Sequence, residues 1–122
     1  MVIPHPMQVR KLMESVPEGL VITLDEIRAA LARENGADIA CPMTVGIFTS
    51  IVAQASHEDK EEQGSFSVAY WRSLKRNAEL NPKFPGGIEG QAKHLETEGH
   101  SIIHRGKKAF VKNYEDFLFN PL

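Results

Sequence analysis

The strongest nucleophile in this sequence is the thiol of Cys41, the single cysteine of the chain. Pro42 follows it and favours the first turn of a helix, where the helix dipole and free backbone N–H groups lower the pKa of a thiol. A redox or thiol-transfer reaction would use such a thiolate. No histidine or lysine lies within four residues of Cys41 to assist it, so the pattern favours a buried, inert cysteine over a catalytic one.

Metal binding is the second kind of chemistry that the residue types offer, through five histidines. None of them is paired with the cysteine or with another histidine at a spacing typical of a metal site. His100 and His104 would point the same way if they lie in a strand, but placement on the surface explains them better. The sequence therefore predicts no metal and no cofactor, and a single cysteine cannot form an internal disulfide.

Three amphipathic helices are predicted in the first half of the chain, the first over about residues 7–16. The second opens with Thr23 and Glu26 at the spacing of a capping box and ends near Asn35-Gly36. The third begins at Pro42 and has one apolar face, made of Val45, Phe48, Ile51, Val52 and Ala55. The second and third helices have the outline of a helix-turn-helix pair.

Shorter elements are predicted in the second half. Residues 58–67 are polar and contain a glycine, which indicates a loop, and residues 66–71 form a candidate strand. We expect an irregular turn or wing over 80–85, a fourth helix that ends at Gly99, and a hairpin around Arg105-Gly106. Four residues near the end are expected to fold back onto the core: Tyr114, Phe117, Leu118 and Phe119. The predicted fold class is α+β, a winged-helix-like (helix-turn-helix) domain with a small C-terminal β-hairpin.

Length and composition are those of one globular domain over residues 1–122, with 42% hydrophobic and 25% charged residues. No segment approaches the run of about 18 apolar residues that spans a membrane, so we expect a soluble, cytoplasmic protein. Residues 1–68 carry five basic and ten acidic side chains, whereas residues 69–112 carry nine basic and four acidic ones. The basic half is suited to attract phosphates, although charges this sparse also fit an ordinary surface.

Several short motifs occur together in the order and spacing of one known family. They are Pro17-Glu18-Gly19, Ile22-Thr23, Val45-Gly46, Ala69-Tyr70-Trp71-Arg72, Pro85-Gly86-Gly87 and Glu98-Gly99. This series resembles the DNA-binding domain of the alkylguanine-DNA alkyltransferases over roughly residues 7–100. The resemblance implies the winged-helix-like fold and places the third helix as the recognition helix.

The departures from that family bear on activity. In the family the active strand reads Pro-Cys-His-Arg, and its cysteine thiolate attacks the alkyl carbon of a flipped guanine. Tyr70 and Trp71 stand at the places of that cysteine and histidine. A phenol with a pKa of about 10 is mostly protonated at pH 7 and is a poor nucleophile, so the sequence predicts no enzyme. It is similar to the alkyltransferase-like branch, which lacks the cysteine, binds alkylated DNA and passes the lesion to repair proteins.

The resemblance also implies which residues contact DNA. The family's tyrosine and arginine at the flipped nucleotide fall at Leu24 and Met43, and Met43 would wedge between bases without adding charge. Tyr70 and Trp71 would line a base pocket, with stacking of about 1 to 3 kcal/mol per base, while Arg72 would hold the pocket loop through backbone carbonyls or reach a phosphate. The predicted DNA-binding residues are Thr23, Leu24, Met43, Thr44, Tyr70, Trp71, Arg72, Lys75 and Lys83. Without the resemblance, Tyr70 and Trp71 fit core aromatics better.

An uncharged recognition helix leaves a second function open. The third helix has no lysine or arginine between Pro42 and Ser56, although contacts to phosphates supply most non-specific affinity for DNA. The preferred prediction is a non-catalytic domain that binds double-stranded DNA, alkylated or distorted, with a DNA-repair protein as a further partner. The alternative is a protein-interaction or regulatory module that kept the fold and lost DNA binding.

Overall fold

Four helices and two short sheets form the part of the chain that the computed structural model describes, residues 5–37 and 40–120. The helices are α1 (Pro6–Ser15), α2 (Leu24–Glu34), α3 (Pro42–Gln63) and α4 (Gly87–Thr97). The strands are β1 (Ile22–Thr23), β2 (Ser73–Leu74), β3 (Ile102–Arg105) and β4 (Lys108–Val111). Short 3₁₀ turns cover Tyr70–Arg72, Arg76–Ala78 and Tyr114–Phe117. The mixed α+β class and the C-terminal hairpin that the sequence predicts are confirmed.

The first three helices pack around a common apolar core. Val9 and Met13 of α1, Ile27 and Leu31 of α2, and Val45 of α3 are at most 1% exposed. Because these side chains recur at helical spacing, each helix buries one stripe and leaves the rest to solvent. The helical periodicity of the sequence therefore identifies the buried stripes of α1 and α2 correctly.

The start of α2 and its connection to α3 depend on two side chains. The backbone N–H and the hydroxyl of Thr23 both donate to the carboxylate of Glu26, at 3.0 and 2.7 Å, so the predicted capping box is present. Farther along α2, the Nε of Arg28 donates to the carbonyl of Ala40 at 3.1 Å, just before α3 begins. This bond links α2 to the turn that leads into α3.

The predicted loop over residues 58–67 is wrong in its first half, because α3 continues to Gln63. The last two turns of α3 consist mostly of charged residues, which favour helix and are mostly exposed. The helix ends at Gly64, whose φ of 82° is left-handed and whose N–H donates to the carbonyl of Lys60 at 2.9 Å. The charged run is thus a solvated helix end.

The predicted strand over residues 66–71 is also wrong. The hydroxyl of Ser56 both donates to the carbonyl of Val68 at 2.6 Å and accepts from its N–H at 3.0 Å. A 3₁₀ turn follows at Tyr70–Arg72, and only then does β2 pair in parallel with β1. The backbone groups of this segment are therefore bonded to the Ser56 side chain and to carbonyls of the same segment, where a strand would need a neighbouring strand.

A hairpin and a bridge between distant residues complete the domain. β3 and β4 form the predicted antiparallel hairpin, with Ile103 opposite Phe110, and the N–H of Leu80 donates to the carbonyl of Ala109 at 2.8 Å. Beyond the hairpin, Val21 pairs with Leu118. The aromatic side chains near this bridge are partly buried against the core, as predicted; they are Tyr114, Phe117 and Phe119.

Candidate nucleic-acid interface

A cleft of about 630 Å³ lies between the helix-turn-helix pair and the segment that follows the 3₁₀ turn. One wall is formed by α3 residues 42–54 with Leu24 and Ile27 of α2, and the other by residues 73–75 and 81–84. Its volume is within the range of pockets that bind small molecules. The predicted wing over residues 80–85 is therefore one side of the cleft.

The α3 wall presents an exposed apolar stripe, here named the α3 ridge, made of Met43, Ile47 and Ile51. These side chains are 75%, 52% and 56% exposed. Ile51 had been predicted on the core face of the helix, which is wrong. Val45 and Val52 of the same predicted face are buried as expected. α3 is apolar on more than one side, so its periodicity alone does not define the limits of the buried face.

The opposite wall carries the positive charge of the cleft. Lys75 and Lys83 line it, and no aspartate or glutamate is among the lining residues that the structure describes. The Nζ of Lys75 lies 3.7 Å from the carboxylate of Glu79, which offsets part of its charge. Outside the lining, Arg76 lies 3.4 Å from Asp25. Lys83 is thus the lysine of this wall that is most available to a phosphate.

Gln91, a buried residue of α4, holds this wall in place. Its side chain is fully buried, and its Oε1 accepts from the N–H of Asn81 at 2.7 Å. Its Nε2 donates to the carbonyls of Trp71 and Ser73, at 3.0 and 3.1 Å. One amide therefore links α4, the 81–84 loop and β2. Sequence reasoning missed this role, although a glutamine among apolar residues at the core-facing positions of α4 was the available signal.

Tyr70 and Trp71 are interior residues in the structure, only 2% and 9% exposed. Trp71 stacks on His94, with ring centres 4.1 Å apart, and Tyr70 packs edge-on against Phe66 and Phe84. Neither residue is among those that line the cleft. Burial raises the pKa of the Tyr70 phenol above its ordinary value. The structure thus agrees with the core interpretation of these rings, and a contact with a base would require them to become exposed.

Arg72 belongs to a buried ionic cluster with Glu98. Its Nε and Nη2 donate to the Glu98 carboxylate at 2.8 to 3.1 Å, and its Nη1 donates to the carbonyl of Val16 at 2.9 Å. Glu98 also accepts from the Trp71 indole at 2.8 Å and from the N–H of Gly19 at 3.2 Å. Burial alone would raise the pKa of Glu98, but the hydrogen bonds from Arg72 and Trp71 lower it on balance. Arg72 therefore secures a backbone carbonyl, and it is not free to reach a phosphate.

Of the remaining predicted site residues, four line the cleft and two, Thr23 and Thr44, do not. Leu24, Met43, Lys75 and Lys83 line the cleft. Thr23 is only 3% exposed, and its hydroxyl donates to the Glu26 carboxylate at the start of α2. Thr44 is half-buried and hydrogen bonds to Cys41, which lowers the pKa of that thiol, and the charge of Arg28 adds a smaller effect in the same direction. Cys41 is half-buried, whereas a buried thiol was predicted.

Within residues 5–37 and 40–120, no group of three or more histidine, cysteine, aspartate or glutamate side chains could hold a metal ion. No helix of the described chain is long and apolar enough to cross a membrane.

Comparison with known proteins gives a structural relationship. No family model matches the sequence, and no curated protein matches it either. The structure is similar to S. pombe Atl1, solved in complex with damaged DNA containing O6-carboxymethylguanine, with a TM-score of 0.64 and 20% sequence identity. It is equally similar to a second S. pombe ATL complex with DNA, at 21% identity. Each match covers 95% of this chain and 94% of the other. The predicted resemblance to the alkyltransferase-like proteins is thereby confirmed at the level of the fold.

Proposed function

We propose that this domain binds duplex DNA, alkylated or distorted, through the cleft and does not transfer an alkyl group. The observation that carries the proposal is the cleft itself, in which an apolar α3 wall faces Lys75 and Lys83. An apolar wall suits a base removed from its stack, and lysines suit the flanking phosphates. The related Atl1 structure was solved with damaged DNA, which supports this choice of ligand.

The absence of alkyl transfer follows from the residue at the family's cysteine position. The phenol of Tyr70 is buried and its pKa is raised, so its reactive phenolate form is even less populated at pH 7 than that of a free tyrosine. Cys41 has a lowered pKa but stands immediately before α3 and is not among the residues that line the cleft. We therefore assign binding, and no covalent step, to this site.

Within the cleft, four predicted residues have distinct roles in the proposal. Met43, at the first turn of α3 and 75% exposed, inserts between bases as an apolar wedge. Leu24 packs against the displaced base. Lys75 and Lys83 neutralise phosphates on the other side. DNA-repair proteins would follow as partners once a lesion is held.

Fluorescence anisotropy with a labelled duplex tests the proposal. A duplex with one O6-alkylguanine should bind more tightly than the same duplex with guanine, and equal affinities would remove the lesion-specific part. Because two lysines line the cleft, the logarithm of the affinity should fall with the logarithm of the salt concentration at a slope of about −2. Lys83→Gln should reduce that slope by about one. Lys93→Gln, an exposed change on α4 outside the cleft lining, is the matched control.

A protein-interaction function remains the alternative, and the uncharged α3 ridge is the observation that favours it. If the domain has lost DNA binding, the anisotropy of the duplex will not change at low salt, where phosphate contacts are strongest. Affinity without salt dependence would equally contradict phosphate contacts.

A further inference from the structure

The α3 ridge exposes more apolar surface than the rest of the described chain leads one to expect. Only four large apolar side chains in residues 5–37 and 40–120 are more than half exposed, and three of them form the ridge. The spacing of four residues puts Met43, Ile47 and Ile51 on one face over a length of about 12 Å. A contiguous exposed apolar stripe marks a surface that another molecule covers.

DNA at the proposed site covers this stripe only in part. A wedge acts at one base step, and stacked bases are about 3.4 Å apart. Met43 is suited to that place. Ile47 and Ile51 lie about 6 and 12 Å farther along the helix axis, so a base step wedged by Met43 does not cover them. Their exposed aliphatic surfaces match an apolar partner that runs along α3.

An amphipathic helix meets this requirement, because helix-in-groove recognition uses apolar anchors at spacings of three and four residues. The charges around the ridge indicate which side chains should flank the apolar anchors of that helix. The cleft lining contributes Lys75 and Lys83 and, among the described residues, no carboxylate. Glu79, which offsets Lys75, has a side chain only 15% exposed. Acidic side chains beside the anchors would pair with the lysines, whereas basic ones would be repelled.

We propose that the α3 ridge docks an amphipathic helix with acidic flanks from a partner protein. The partner's apolar anchors cover Ile47 and Ile51, and its carboxylates take the places of phosphates beside Lys75 and Lys83. Partner and duplex therefore compete for one face of the domain. This competition rests on the proposed DNA-binding function, whereas the docking itself does not.

A labelled model peptide of about 16 residues tests the docking, with leucines at helical spacing on one face and glutamates on its flanks. Two control peptides accompany it: one with the same residues scrambled and one with lysines in place of the glutamates. We expect the first peptide to bind and both controls to bind at least about tenfold more weakly. Ile51→Gln should weaken binding about tenfold through lost apolar contact. Met7→Gln is the matched control, since Met7 is 53% exposed but outside the cleft lining.

Each other outcome overturns the proposal in an identifiable way. No preference for the first peptide over the scrambled one would show that the ridge has no helix partner, and equal effects of Ile51→Gln and Met7→Gln would show that binding occurs elsewhere. Sedimentation of the free protein as a dimer that Ile51→Gln dissociates would assign the ridge to a second copy of the chain. A larger effect of Ile51→Gln on duplex than on peptide affinity would assign the ridge to DNA.

Two further outcomes distinguish this inference from the proposed function. Duplex binding without peptide binding contradicts only this inference, and peptide binding without duplex binding contradicts only the proposed function.

Discussion

The ionic cluster around Glu98 buries charged groups, whereas the α3 ridge exposes apolar side chains. In the cluster, the Glu98 carboxylate accepts from Arg72, Trp71 and Gly19, and its side chain is 5% exposed. On the ridge, three aliphatic side chains are over half exposed. Yet Arg72, Glu98 and Gly19 of the cluster match the alkyltransferase motifs, whereas Met43 of the ridge departs from that family. The motif thus marks the scaffold here, and the surface available to a ligand is elsewhere.

Removing the carboxylate of the cluster should have the largest effect on stability. Glu98→Ala leaves the mostly buried Arg72 guanidinium without its partner, which we expect to lower the free energy of unfolding by about 3 kcal/mol. Urea denaturation measures this loss. Glu96→Ala, an exposed change two residues earlier, is the control. If both variants unfold at the same urea concentration, the cluster is not a structural element.

Gln91→Met should come next, because it keeps the volume but removes three hydrogen bonds. The N–H of Asn81 and the carbonyls of Trp71 and Ser73 would lose their partners, at a cost of about 2 kcal/mol in total after relaxation of the loop. Amide hydrogen exchange at Asn81 should accelerate, and affinity for the duplex should fall with it. Gln63→Met at the exposed end of α3 should change neither. Unaltered exchange at Asn81 would contradict the positioning role of Gln91.

Two histidines should make stability depend on pH. Burial lowers the pKa of both His94 and His100, and the ring nitrogens of buried His100 have no hydrogen-bond partner in the described structure. As the pH falls below about 6.5, the unfolded chain binds protons before the folded one, so the free energy of unfolding decreases. Above that pH their contribution is complete. His100→Phe should flatten the slope between neutral pH and pH 5, while His104→Gln at an exposed position should not; identical slopes would contradict this assignment.

The smallest effect on stability is expected on the ridge. Ile51→Gln changes a side chain that is 56% exposed, so the free energy of unfolding should change by no more than about 0.5 kcal/mol. A loss of several kcal/mol in the same urea experiment would place Ile51 in the core and erase the difference between the two regions.

Local signals predicted the elements whose stabilising groups are close in sequence. Thr23 and Glu26 fix the start of α2, and Gly99, with a φ of 98°, ends the turn after α4. The segment before β2 could not be predicted in this way, since Val68 is held by Ser56 and the carbonyl of Trp71 by Gln91. These partners are distant in sequence and leave no periodic pattern.

The candidate site was predicted only in part for a similar reason. Leu24, Met43, Lys75 and Lys83 line the cleft, and their contact with DNA stays a prediction. Tyr70 and Trp71 are buried among aromatic rings from other segments. Residue type shows that a ring can stack, but only tertiary packing decides whether a base or His94 is its neighbour.

The pairing of Val21 with Leu118 has a kinetic consequence. It joins the first strand region to the last described turn, so the chain must close a loop of nearly its whole described length before these backbone bonds form. Such long-range closure slows folding relative to a purely local helical bundle. It also couples the two ends, so we expect the helical half to lose its protection from exchange together with the hairpin, as one cooperative unit, and never on its own.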